Sequence, residues 1–195
     1  MSMRNIKVEK NSCTFELYGK YESFPNSLRR ALLNNIKNYA PDRVVFRKNT
    51  SCQTDEYIAH RICMIPFRAN NLCENLDLKP MTCKIEGKTP YSHDLTGDGF
   101  TCSPDIPIMK LSEEQALDFD VYFKRGCGLD HAKFSHVGKV GYKQTEKSTQ
   151  ISFETISDID SPVEMLMAAV DSLMSDVRDT IHLVETKYDD IKEDA

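Results

Sequence analysis

Two stretches of the sequence decide how the chain is interpreted: NSLRRALL at residues 26–33 and TDEYIAHRICMIPF at residues 54–67. Both combine charged and apolar residues at helical spacing. Neither contains a glycine-rich phosphate loop, a nucleophile beside a base, or ligands at the spacing of a metal site. The two stretches therefore indicate a surface that binds protein partners.

The composition is that of a globular protein. Of the 195 residues, 40% are hydrophobic and 28% are charged. The net charge of −5, from 25 basic and 30 acidic residues, argues against direct specific contact with nucleic acid. No stretch has 18 consecutive apolar residues, so no association with a membrane is predicted. The seven cysteines are scattered and the first residues lack the apolar run of a signal peptide, which predicts free thiols in a reducing compartment.

Local patterns predict alternating short elements in the first half of the chain. Apolar residues alternate in residues 5–18, which predicts a hairpin of two half-buried strands. A helix over residues 26–39 is expected to end at Pro41, with a strand at residues 43–46. One or two helical turns are expected at residues 55–62.

Turn residues dominate from residue 68 to residue 100, which predicts short strands joined by loops. Two alternating runs, at residues 104–111 and 117–123, predict a pair of strands around a polar turn. Residues 150–156 are predicted to form the last strand.

The final helix, predicted over residues 162–191, has the strongest pattern in the sequence. No Gly or Pro follows Pro162, and apolar or aromatic residues recur in alternating steps of four and three, as in a heptad seam. Such a helix is roughly 45 Å long at 1.5 Å per residue, longer than a domain of this size needs to cover its own sheet. Part of it is therefore predicted to pack on another chain; the alternative is a helix that lies wholly on its own sheet. The seam positions are Val163, Met167, Val170, Met174, Val177, Ile181, Val184, Tyr188 and Ile191.

Candidate chemical sites are weak. Cys73 and Cys83 are ten residues apart and the sequence has no Cys-x-x-Cys, so isolated thiols are favoured over zinc, and no metal or cofactor is predicted. Cys127 lies between two glycines without an evident base, which favours a loop cysteine over a nucleophile. The charges at residues 55–61 fit either a general acid/base cluster or partner contacts, and partner contacts are favoured.

Four blocks resemble a known family: NSLRRALL at residues 26–33, DEYIAHRI at 55–62 followed by Ile65 and Pro66, IPIMKL at 106–111, and GCGLDHAKF at 126–134. In this order they resemble the assembly-platform subunit of multisubunit RNA polymerases. That family includes the third subunit of eukaryotic RNA polymerase II, the archaeal D subunit and, more distantly, the N-terminal domain of bacterial alpha. Its members make no bonds themselves and nucleate assembly of the enzyme, so the resemblance implies a non-catalytic scaffold that acts inside the cell, in nucleus or cytoplasm, or in a viral setting.

The resemblance also implies an α+β fold with a discontinuous architecture. A dimerisation domain of antiparallel strands and two helices, residues 1–46 and 148–195, is interrupted by a mostly β inserted domain, residues 47–147. Its partner is expected to be a smaller alpha-like subunit, and no metal is carried over to the inserted domain. The expected dimer interface consists of Leu28, Leu32, Leu33, Ile36, Met167, Val170, Leu173, Met174, Val177, Ile181 and Val184.

A second surface is expected to face the second-largest polymerase subunit and a small zinc-bearing subunit. The residues implied there are Arg29, Arg30, Asp55, Glu56, His60, Arg61, Ile65, Pro66, Asp130, His131, Lys133 and Phe134. The chain departs from the family pattern at Cys63, where a Gly is usual, at Phe134 in place of Trp, and at His136 in place of Pro. Two alternatives stay open: a homodimeric scaffold of the bacterial alpha type, and a stand-alone enzyme that uses Asp55, Glu56 and His60.

Overall fold

The computed structural model describes residues 2–19, 23–70 and 79–193, with side chains as far as residue 187. In this part of the chain three α-helices accompany three antiparallel sheets, which confirms the predicted α+β class. Cys73 and the side chains of Tyr188 and Ile191 lie outside the described residues. In chain order the elements are β1 (Ser2–Val8), β2 (Ser12–Tyr18), α1 (Phe24–Asn34), β3 (Lys37–Asn49), α2 (Asp55–Cys63), β4 (Phe67–Ala69), β5 (Met81–Glu86), β6 (Phe100–Cys102), β7 (Ala116–Cys127), β8 (Val137–Gln144), β9 (Ser148–Thr155) and α3 (Pro162–Glu193).

The chain folds into two compact units, and the first comprises Met1–Ile36, Val137–Thr155 and Ser161–Ala195. Its four-stranded sheet has the order β1-β2-β9-β8, and α1 and α3 share one core with it. The alternating pattern of β2 and β9 directs every second side chain into this core, as the period of a strand requires. The most buried members are Cys13, Phe15, Leu28, Ala31, Leu32, Ile151, Phe153 and Ala169.

The second unit comprises Lys37–His136 and Ile156–Asp160. A three-stranded sheet of order β3-β7-β5 and a two-stranded sheet of β4 and β6 surround its core. Helix α2 contributes Ile58 and Ile62, both fully buried, because these residues are four apart and face the same side of the helix. They pack in one cluster with Phe67, Phe119 and Val121.

The limits of these units differ from the domain limits predicted above. The units divide at residues 36/37 and 136/137, whereas the sequence predicted limits near 46 and 148. The assignment of a dimerisation domain and an inserted domain stays a prediction.

Several predicted elements are confirmed: the hairpin at residues 5–18, the helix at 55–62, the strand at 150–156 and the long final helix. The predicted end of α1 at Pro41 is wrong. The helix ends at Asn34, where the backbone N–H of Asn35 still bonds the carbonyl of Ala31. Pro41 instead lies within β3, opposite Phe123. Because β3 is an edge strand of its sheet, the missing N–H of a proline is tolerated there.

The predicted strand at residues 104–111 is also wrong. That segment forms a single isolated bridge, between Tyr91 and Pro107, and its two prolines cannot donate to a ladder. Strand β8, in contrast, was not predicted from the sequence. It is an edge strand exposed over most of its length, so it lacks the alternation by which strands are recognised.

Candidate interaction surfaces

Helix α3 packs on its own unit only through its N-terminal half. Met165 and Ala169 are buried in the core, and Leu166, Val170 and Leu173 are partly buried against it. From residue 174 to residue 187 every described side chain is exposed. The alternative in which the whole helix lies on its own sheet is therefore wrong.

The predicted seam forms an exposed apolar stripe on α3. The exposed fractions are 62% for Met167, 47% for Met174, 59% for Val177, 51% for Ile181 and 63% for Val184. Steps of three and four residues place these side chains on one side of the helix. A row of apolar side chains this long on the surface is typical of a face that another protein covers.

The N-terminal end of α1 lies beside this stripe. Phe24 and Ser27 line a groove of about 600 Å³ together with Leu173, Met174 and Val177 of α3. Farther along, the side-chain amide of Asn35 donates to the Asp176 carboxylate over 3.2 Å. The two helices of the first unit thus form one continuous surface.

The α1 residues predicted for the dimer interface lie largely inside this chain. Leu28 and Leu32 are each 1% exposed and Ile36 is 7% exposed. Leu33 is half-buried. These side chains fix α1 on its own sheet, so the exposed apolar surface of the two helices comes mainly from α3.

Helix α2 presents its polar residues to solvent. Asp55 and Glu56 lie in its first turn and His60 and Arg61 in its last, the arrangement that complements the helix dipole. Asn49 donates to Asp55 over 2.7 Å. The backbone N–H of Glu56 and the Thr54 hydroxyl hold the pKa of the Glu56 carboxyl below its usual value. Both carboxylates are thus engaged at the start of the helix.

Arg61 binds within its own unit. Its Nε donates to the carbonyl of Ile108 over 2.6 Å, and its Nη2 donates to the carbonyl of Pro107 over 2.8 Å. The guanidinium thus donates hydrogen bonds to backbone carbonyls of a segment that belongs to no strand. Arg61 therefore fixes residues 107–108 against α2, and with Tyr57 and Lys110 it lines a cleft of about 320 Å³.

The GCGLDHAKF stretch forms a tight loop after β7. Asp130 accepts the backbone N–H of Cys127 over 3.0 Å, and bonds from this N–H and from the Cys127 thiol hold the pKa of Asp130 below its usual value. His131 accepts the N–H of Lys133, whose ammonium donates to the Pro41 carbonyl over 2.8 Å.

Phe134 belongs to the packing of this loop. It is 4% exposed, and a Cβ added at Gly126 would lie 2.7 Å from its ring. Asp130 and His131 are exposed, whereas Lys133 is half-buried. Only part of the loop therefore faces outward.

The remaining predicted docking residues differ in their surroundings. Arg29 is half-buried and donates to the Asn26 side chain over 3.0 Å, whereas Arg30 is exposed. Ile65 is 4% exposed and belongs to the core of the second unit, and Pro66 is half-buried. Arg29 and Arg30 lie in the first unit and all the other predicted docking residues lie in the second.

The cysteines of the described residues are free thiols. Burial raises the pKa of Cys83 to about 12, so that side chain is a poor nucleophile and a poor metal ligand. Among the described residues, no group of three or more His, Cys, Asp or Glu side chains is arranged to hold a metal ion. No helix in the described part of the chain has the length and apolar content needed to cross a membrane.

One buried polar pair was not predicted from the sequence. His136 Nδ1 lies 3.0 Å from Asp160 Oδ1, and the two residues are 4% and 2% exposed. They are 24 residues apart in the chain and neither belongs to a recognisable motif. In the sequence, the signal at this position was His136 itself, which stands where the family pattern has a proline.

Several known proteins are similar in sequence to most of this chain. The chain is 31% identical over 166 residues to a Methanocaldococcus jannaschii protein named DNA-directed RNA polymerase subunit Rpo3, an alignment that covers 84% of this chain and 85% of the relative. The chain belongs to the Rpo3 family. The suspected resemblance to this polymerase subunit family is thereby confirmed.

Other Rpo3 proteins match over a somewhat smaller share of the chain. The Pyrococcus furiosus protein is 40% identical over 151 residues, which cover 71% of this chain and 57% of the relative. The Thermococcus kodakarensis protein is 38% identical over 153 residues, which cover 73% of this chain and 59% of the relative. The chain thus spans little more than half the length of these two Rpo3 relatives. No protein-family model matches it.

Proposed function

We propose that this Rpo3-family chain is a non-catalytic assembly scaffold of a multisubunit DNA-directed RNA polymerase. In this role it dimerises with a smaller alpha-like subunit and takes part in transcription only through the assembled enzyme. The exposed apolar stripe of α3 carries the proposal. It occupies a helix that extends beyond the contacts of its own unit, which is the arrangement a dimerisation helix requires.

Burial of the stripe would offset a large part of the free-energy cost of association. Complete burial of a large apolar side chain stabilises by roughly 1.5–3 kcal/mol, and the five exposed stripe residues begin about half exposed. Their combined contribution is of the same order as the roughly 4–15 kcal/mol cost of association. Leu28, Leu32 and Ile36 support this face from beneath because they hold α1 in place.

For the larger subunits, the proposed contacts are exposed side chains of α2 and of the loop after β7, together with the exposed Arg30 of α1. Asp55 and Glu56 on α2 offer negative charge to the second-largest subunit, as does Asp130 on the loop, and His60 and His131 offer the nitrogens of their rings. Arg61, Ile65, Lys133 and Phe134 support that surface through contacts within the unit. The small zinc-bearing subunit is proposed as a further neighbour, and neither direct specific contact with nucleic acid nor a cofactor is part of the proposal.

Co-purification of the chain with its alpha-like subunit tests the proposal. The double variant Met174→Asp/Val177→Asp places two charges in the stripe, and we expect it to fold normally but to lose the partner. The matched control, Ser175→Asp/Thr186→Asp, adds the same charge to exposed positions on the other side of α3. If the stripe variant still co-purifies with the partner, the dimerisation proposal is wrong.

The two alternative functions give different results with the purified chain alone. Light scattering should report the mass of a single chain, since the proposed interface needs a different partner; twice that mass would indicate the homodimer. An assay of nucleotide incorporation should show no turnover. Turnover that depends on Asp55, Glu56 and His60 would instead indicate a stand-alone enzyme.

A further inference from the structure

The second unit contains a cleft between helix α2 and residues 107–110, with a volume of about 320 Å³. Residues 52 and 53, from the loop that leads into the helix, complete its lining. All of the lining residues belong to this one unit. Cavities that bind small ligands begin at roughly this size, about 300 Å³.

The sides of the cleft are held in place by hydrogen bonds within the unit. Arg61 bonds two backbone carbonyls of the opposite segment, and the N–H of Ile108 in that segment donates to the Pro90 carbonyl over 2.9 Å. In the loop, the side-chain amide of Asn49 donates to the Gln53 carbonyl over 3.0 Å. The cleft is therefore preformed, and a ligand needs to order little of the protein when it binds.

The charge of the cleft is positive. Among the described residues that line it, only Arg61 and Lys110 are charged. Two nitrogens of the Arg61 guanidinium bond carbonyls, while Nη1 has no partner within the described part of the chain. The exposed ammonium of Lys110 likewise bonds no described residue. Because carbonyls do not neutralise a guanidinium, the cleft attracts an anion, and a carboxylate matches the planar arrangement of its donors.

Apolar surface lies beside these two cations. Tyr57 is four residues before Arg61, so the two side chains lie on the same side of α2, and Tyr57 is 48% exposed. Ile108 and Met109 also line the cleft and are largely buried, with exposed fractions of 1% and 8%. A ligand that uses both kinds of surface carries an anionic group next to an apolar one.

The volume of the cleft limits the size of the ligand. It corresponds to roughly ten water molecules at about 30 Å³ each. The side chains of a glutamate and a leucine together have about as many non-hydrogen atoms, whereas a nucleotide has more than twice as many. The cleft thus accommodates two neighbouring side chains of a peptide.

We infer that this cleft binds a peptide segment of another protein in which a carboxylate side chain adjoins a large apolar one. The carboxylate accepts hydrogen bonds from Arg61 and Lys110, and the apolar side chain packs on Tyr57 and Met109. In the proposed docking surface Arg61 only supports other residues, and Tyr57 and Lys110 have no part. The site is therefore additional to that surface, and it does not depend on the α3 stripe, which belongs to the first unit.

Nuclear magnetic resonance of isotope-labelled methionine methyl groups in the full chain tests the inference, because Met109 lines the cleft. The probe is the peptide acetyl-Gly-Glu-Leu-Gly-amide. We expect it to shift the Met109 signal saturably with a Kd on the order of 1 mM, as for other ligands of this size. The same peptide with Gln in place of Glu should bind about fivefold more weakly or worse, since it lacks the charge. The signal of Met165, in the core of the first unit, should not move.

Two variants of equal charge change locate the binding. Lys110→Glu reverses a charge in the cleft, whereas Lys84→Glu reverses one at an exposed position of β5 in the same unit. We expect the first variant to raise the Kd of the peptide about tenfold or more and the second to leave it within about twofold. Urea denaturation checks that both variants fold. Equal losses in the two variants would show that binding follows the net charge of the unit, and the site would be wrong.

Inorganic phosphate and adenosine monophosphate compete with the peptide in the last arm of the test. We expect neither to displace it at equal concentration. Displacement by either would assign the cleft to a free anion and overturn the peptide assignment. The inference is also wrong if the Glu and Gln peptides bind equally, or if the Met109 signal shows no saturable shift up to about 10 mM peptide.

Discussion

The imidazole of His136 and the carboxylate of Asp160 form a buried pair, with 3.0 Å between Nδ1 and Oδ1. The pair closes a short strap, Ile156–Asp160, onto the body of the second unit. The backbone N–H of Ile156 donates to the His136 carbonyl over 2.8 Å, and Arg68 donates to the Ile159 carbonyl over 2.9 Å. The strap is thus held at its beginning and at its end.

Removal of one partner of this pair should destabilise the second unit. Asp160→Ala leaves a buried imidazole without its carboxylate, and we expect the free energy of unfolding to fall by about 2–4 kcal/mol. Urea denaturation measures the change. Asp98→Asn, at an exposed position of the same unit, serves as the control and should shift the midpoint very little. Equal stability of the two variants would show that the pair contributes nothing to the fold.

Truncation after residue 174 should separate folding from dimerisation. The removed part of α3 contributes no buried side chain among residues 175–187, so we expect the unfolding free energy to change by less than about 1 kcal/mol. Binding of the alpha-like subunit should nevertheless be lost. Met165→Asp, which places a charge in the core, is instead expected to lower the unfolding free energy. Urea denaturation and co-purification of the same samples report both properties, and retained binding by the truncated chain would contradict the proposed interface.

Arg61→Ala is expected to lower the free energy of unfolding of the second unit, so any weaker capture of the large subunits should follow from that loss of stability. The loss of two charge-assisted hydrogen bonds to the carbonyls of Pro107 and Ile108 is expected to cost about 1–2 kcal/mol at this exposed position. Arg61→Lys cannot reproduce the planar fork and should recover only part of this stability. Arg30→Ala, exposed on α1, is the comparison for docking alone. If Arg61→Ala weakens capture of the large subunits without any change in urea stability, Arg61 acts as a direct contact.

Two glycines in strands offer a matched test of packing. Gly126→Ala places a methyl group 2.7 Å from the Phe134 ring, and we expect a loss of about 1–3 kcal/mol. Gly141→Ala meets nothing closer than the Ser152 hydroxyl at 3.9 Å and should be neutral or slightly stabilising. Thermal unfolding of both variants measures the difference. Similar melting temperatures would mean that the loop adjusts to the added group.

The sequence predicted the elements whose pattern is periodic and long. Helix α3 was predicted within two residues of its observed end because nothing interrupts its apolar repeat. The repeat could not show that Met165 and Ala169 face the sheet while Met174 and Val177 face solvent, since both kinds of position are apolar. Pro41 was misassigned because a proline excludes a helix but not an edge strand.

Part of the candidate surface was likewise predictable. Exposed charges on α2 follow from its spacing, because Ile58 and Ile62 occupy the buried side. The role of Arg61 was not predictable, since its acceptors lie 46 and 47 residues away in the chain and are backbone carbonyls, which every residue carries. The His136–Asp160 contact was not predictable for a similar reason. The two residues are distant in the chain, and only the fold brings their side chains together.

The first unit gathers its core from three separate stretches of chain, and this determines the order in which the protein can fold during synthesis. Residues Lys37–His136 leave the ribosome as one continuous piece and supply nearly all of the second unit. The core of the first unit cannot be completed until Met165 and Ala169 have been synthesised. Until α3 emerges, the apolar face of β2 and β9 has no cover from that helix. Because domains fold as units once their chain is available, the second unit is expected to fold first and the first unit to close last. The helix that completes this core also carries the stripe proposed to bind the partner, so the proposed dimerisation surface is completed only after α3 has been synthesised.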